Sequence, residues 1–174
     1  RMSLSPIISV CVAVLGVLWA SPVIAEQEGQ SWERHQMAGL VFDAPKGAEV
    51  TEQSTKPGVT VLAITRGDEI LLITVYSGKK APGVLKARAV HIEEVERKFA
   101  NSGAPKLGKE RIKMFKRNRD IWTMSHGPDS RRRKVRVLAL QRMKLTVVAT
   151  WSTPAGMTPS KGFVRTLLEG LAMP

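Results

Sequence analysis

Cysteine is all but missing: Cys11 is the only one in 174 residues, and it lies inside an apolar N-terminal run. Beyond that run the chain can hold neither a disulfide framework nor a thiol nucleophile, so its stability must come from packing. Metal-binding spacings are missing too. The three histidines, His35, His91 and His126, show no H-x-x-x-H or similar pattern; without cysteine no zinc centre is expected, and the histidines are expected on the surface. No G-x-S-x-G elbow or Gly-rich phosphate loop appears. The adjacent acids Glu93, Glu94 and Glu96 stand among Lys and Arg on a predicted helix, where solvated ion pairs are expected rather than acid/base chemistry. The sequence therefore predicts no enzyme, no cofactor and no metal.

Acidic residues are the scarce charge, with 15 Asp and Glu against 27 Lys and Arg. Such an excess favours anionic partners, whether acidic protein surfaces, membrane headgroups or nucleic acid. With 43% hydrophobic and 24% charged residues, the composition is that of a globular chain able to bury a core, and its length suits one domain.

Residues 1–25 read differently. Pro6 to Ala20 is nearly all apolar, and Ser21-Pro22-Val23-Ile24-Ala25 ends in the small-residue pattern that signal peptidase accepts. This predicts a secretion signal cleaved after Ala25 and a periplasmic or secreted location, with an uncleaved membrane anchor as the alternative. Ile8-Ser9-Val10 before Cys11 does not match a lipid-attachment site. Residues 26–36 are polar and expected to be a flexible leader; residues 37–174 are expected to form one domain.

Within 37–174 the pattern alternates between two periods. Strands are expected over Gly39–Ala44, Ala48–Ser54, Val59–Arg66, Glu69–Ser77, Lys109–Lys116, Ile121–His126, Lys134–Gln141 and Lys144–Ser152, separated by turn-forming Gly, Pro, Asn and Asp. Val84 to Asn101 carries Leu85, Ala89, Ile92, Val95 and Phe99 at helical spacing, which predicts a covering helix. Thr158-Pro159 followed by Phe163, Val164, Leu167, Leu168 and Leu171 predicts a second one. The expected fold class is α+β: a mostly antiparallel sheet flanked by two amphipathic helices.

The opening Leu40-Val41-Phe42-Asp43-Ala44-Pro45-Lys46-Gly47, the strand-rich middle with one helix, and the closing Phe163-Val164-Arg165-Thr166-Leu167-Leu168 together resemble the PsbP-like family. The resemblance implies an α-β-α sandwich in an exported protein. It also implies a role as an accessory or assembly factor that docks on larger complexes, with no shared catalytic residues.

One feature rises above the background. Lys109, Arg111 and Lys113 alternate along one predicted strand, and Arg131, Arg132, Arg133, Lys134 and Arg136 crowd the start of another. If the two lie close in the sheet, they predict a basic face for docking on an acidic protein or an anionic membrane surface; export argues against nucleic acid. An alternative function is carriage of a small apolar ligand between helix and sheet, suggested by Met114, Met124, Met143, Met157 and Met173.

Overall fold

The computed structural model describes residues 31–67, 69–103, 105–114, 117–128, 131–142 and 144–154. Among them the chain forms nine strands and one helix: β1 (Trp32–Met37), β2 (Leu40–Pro45), β3 (Glu49–Lys56), β4 (Val59–Arg66), β5 (Glu69–Tyr76), α1 (Val84–Phe99), β6 (Lys106–Met114), β7 (Arg117–His126), β8 (Arg133–Arg142) and β9 (Leu145–Pro154). Strands β3 to β9 make one seven-stranded sheet in the order β3-β4-β5-β9-β8-β7-β6, and β1 and β2 make a separate hairpin. Every pairing is antiparallel.

The expected two-helix sandwich is corrected by this arrangement. The described fold is mostly strand, with α1 on one face of the large sheet; the hairpin packs into the core on the other face, where Leu40, Phe42 and Ala44 join Leu62, Ile64, Leu71 and Ile73. The second helix, expected after Thr158, lies outside the described residues. Part of the expected leader is strand as well, because residues 32–36 pair with β2 from Trp32 opposite Pro45 onward. The side chains of β1 are mostly exposed, so this strand is held by its ladder rather than by an apolar pattern of its own. Its turn is equally inconspicuous: Ala38 and Gly39 both take positive φ, 52° and 74°, as tight hairpins require, without the Asn-Gly or Asp-Gly signature.

The central strands explain themselves. In β5 every residue from Ile70 to Tyr76 is buried, because alternate side chains serve two cores. Leu71, Ile73 and Val75 face the hairpin, while Ile70, Leu72 and Tyr76 face α1. The helix buries Ala87, His91, Val95 and Phe99, one residue every fourth position. That stripe is rotated from the expected one: Leu85 is 80% exposed and Ala89 is also exposed, whereas His91 is core. The helix packs across β9, β8 and β7.

Candidate docking surface

The pairing register separates cations that the sequence groups together. Lys109 stands opposite Trp122, and Trp122 opposite Val137. Trp122 and Val137 belong to the core under α1, so Lys109 and Arg111 are on the helix side of the sheet. Arg136 stands opposite Thr123 and Trp151, and Trp151 belongs to the hairpin-side core. Lys134 and Arg136 therefore occupy the other side, and the two rows do not share a face. Alternation within each strand is as expected; the phase of β6 relative to β8 is set by β7 between them, which no local pattern contains. Lys113 follows Arg111 on β6, opposite Asn118.

On the hairpin side the cations are tied to the fold. Arg136, buried, donates from Nε to Glu110 Oε2 at 2.9 Å and from a terminal nitrogen to Thr153 Oγ1 at 2.9 Å. Lys134 Nζ donates to Glu110 Oε1. Partial burial alone would raise the Glu110 carboxyl, but the hydrogen bonds and charges of Lys134 and Arg136 outweigh it and hold the group below the usual carboxylate range. A glutamate on β6 thus clamps two cations of β8 across the width of β7.

On the helix side, cations gather around the end of α1. Gly127 N donates to Ser102 O at 3.0 Å, joining the turn after β7 to the loop after the helix. Phe99 stacks on His126 with ring centroids 3.8 Å apart, and Lys98 Nζ sits 5.6 Å from the Phe99 centroid. Arg133 lies along the same side, its Nε donating to Ser152 Oγ at 3.0 Å and a terminal nitrogen to Ser152 O at 3.3 Å. Burial, then the charges of Arg133 and Lys98, push the His126 imidazole down to about 4. The ring is thus neutral at neutral pH, chiefly because it is buried. Arg131 and Arg132 precede Arg133 in the chain, with Arg131 N donating to Pro128 O at 2.9 Å. From here the margin continues along β6 through Leu107, 62% exposed, to Lys109 and to Arg111, whose Nε meets Asp120 Oδ1 at 3.1 Å.

The histidines depart from the surface placement expected of them. His91 is buried under α1, its Nε2 2.9 Å from Tyr76 Oη, and burial draws it down to about 4. His35 stacks on Phe42 at 5.5 Å. The signal for His91 was its place four residues from both Ala87 and Val95, the true buried stripe. Glu94, its side chain 15% exposed, pairs with exposed Arg97 at 2.5 Å, so this pair is more shielded than the solvated pairs expected. Among the described residues no group of three or more His, Cys, Asp or Glu is placed to hold a metal, and no helix is long and apolar enough to cross a membrane. Of the methionines that suggested a ligand carrier, Met124 is fully buried as core packing; Met143, Met157 and Met173 lie outside the described residues.

No protein-family model and no curated protein matches the chain. Among solved structures it is similar to PA94 of Pseudomonas aeruginosa, a protein of unknown function, at 11% identity and a TM-score of 0.38, over 75% of this chain and 88% of that one. It is also similar to LpqN of Mycobacterium tuberculosis, involved in cell envelope biogenesis, at 8% identity and a TM-score of 0.33, over 74% of this chain and 75% of that one. At such TM-scores neither likeness bears on what this chain binds.

Proposed function

We propose that the protein is an exported, non-catalytic docking module that engages an acidic protein partner through the helix-side margin running from Lys98 and Arg131–Arg133 to Lys109 and Arg111. The observation that carries this reading is the partition of charge. Glu110 gathers Lys134 and Arg136 to the hairpin side, while on the helix side exposed Lys109 and Arg111 continue from the corner where Lys98 and Arg133 stand near His126. A margin in which cations outnumber acids attracts an anionic partner. The resemblance of Leu40–Gly47 to the PsbP-like opening supports the same role, since that family looks mainly like accessory factors. Export rests on the apolar leader of residues 1–25 and belongs to the proposal.

The test is binding of the exported chain to poly-L-glutamate at low salt, with Arg131→Glu/Arg132→Glu as the variant. Reversing two rim charges should weaken binding roughly tenfold, and the difference should shrink as salt rises. Equal binding by variant and parent would defeat the reading. Binding only to vesicles rich in phosphatidylglycerol, with no affinity for polyglutamate, would replace the acidic protein by a membrane surface.

A further inference from the structure

The two edges of the large sheet are built differently. Strand β3 is polar, carries Glu49 and Glu52, and breaks register between Ser54 and Lys56; irregularities of this kind discourage another strand from adding. Strand β6 runs in unbroken register from Lys106 opposite Ser125 to Met114 opposite Arg117, a straight edge about 30 Å long. Among the described residues no strand lies outside it.

Among the described residues its helix side is also bare. Helix α1 packs across β9, β8 and β7, so Leu107, Lys109 and Arg111 stand exposed beyond it. The strand's own acid, Glu110, is turned to the opposite side and held by Lys134 and Arg136. What β6 presents outward is therefore a main-chain ladder dressed with an exposed leucine, Lys109, and Arg111 beside its partner Asp120 on β7. Lysine on an edge deters strand addition through its charge, and that deterrent becomes an attraction when the incoming strand is acidic.

We infer that β6 captures an extended acidic segment of a partner protein as an eighth strand. This rests on the docking role proposed above and specifies its partner. Main-chain hydrogen bonds supply the grip, and alternate side chains supply the selection. On the helix side the segment places an apolar residue beside Leu107 and acids beside Lys109 and Arg111.

The probe is a blocked nine-residue peptide alternating glutamate and valine, added to the full exported chain and followed by amide hydrogen exchange. The expected result is slowed exchange along Lys106–Met114 with none along Glu49–Lys56, and at least about tenfold weaker binding in Lys109→Glu/Arg111→Glu, both exposed positions. A lysine–valine peptide should not bind. Strand addition is overturned if the acidic peptide fails to bind, or binds without slowing exchange in β6. If polyglutamate is still held in a manner sensitive to Arg131→Glu/Arg132→Glu, the docking role survives and only the edge mechanism falls; if neither probe binds, both fall.

Discussion

Lowering the pH from 7.5 to 5.0 should weaken the fold by about 4 kcal/mol through two side chains, His91 and His126. Burial draws both down to about 4 from a usual value of 6.5. Between those limits the unfolded chain binds protons that the folded chain refuses, so stability is fully present above pH 6.5 and drains away as the pH falls toward 4. At pH 5 each imidazole accounts for about 2 kcal/mol, the logarithm of the ratio of the two protonation polynomials. Glu110, held below the usual carboxylate range by Lys134 and Arg136, loses its own contribution in the same direction as the pH falls, and the His126→Phe comparison subtracts it. Urea unfolding followed by tryptophan fluorescence reads the effect; with a slope of about 1.5 kcal/mol per molar, the midpoint should fall by more than about 2 M. The variant His126→Phe keeps a ring stacked on Phe99 and loses a nitrogen, Nε2, that makes no hydrogen bond among the described residues. It should hold stability at pH 7.5 within about 1 kcal/mol and halve the pH dependence. A midpoint that moves by less than about 0.3 M, or a variant with the parent's full pH dependence, would refute the assignment of buried neutral imidazoles.

Two further outcomes follow from packing. Glu110→Gln leaves the buried guanidinium of Arg136 facing an uncharged partner and should cost about 2 kcal/mol in chemical denaturation, less than a fully buried pair because Glu110 is partly exposed. Phe42→Ala empties a fully buried site in the core shared by the hairpin and the sheet and should cost about 3–4 kcal/mol, whereas the same change at exposed Leu107 should cost less than about 0.5 kcal/mol.

Strands β2, β4, β5, β8 and β9 were legible because each combines an alternating or doubly apolar run with turn residues at its ends; polar β3 offers only a weak run, and β6 and β7 each begin three or four residues earlier than expected. Val59–Arg66 and Glu69–Tyr76 are a clear instance: two β-branched runs, paired from Arg66 opposite Glu69 onward. The helix was legible in extent but not in facing, since Leu85 and Ala89 satisfy the same spacing as Ala87 and His91 and only the sheet decides between them. Strand β1 was hidden because Glu33, Arg34, His35 and Gln36 bury little; its place is dictated by the backbone of β2. The candidate surface was half legible. Arg133 shares the surroundings of His126 with Lys98, a neighbour no local pattern names. Lys134 and Arg136 are drawn away by Glu110, an acid 26 residues from Arg136.

Strand β9 lies between β5 and β8, so it is the seam that joins two otherwise separate meanders. Until Leu145–Pro154 has left the ribosome, Ile70 to Val75 have no neighbour on that flank and the halves cannot zip together. Closure over such a sequence distance belongs to the slow regime of high contact order, milliseconds to seconds. A chain whose keystone arrives late keeps its early segments unlocked during synthesis.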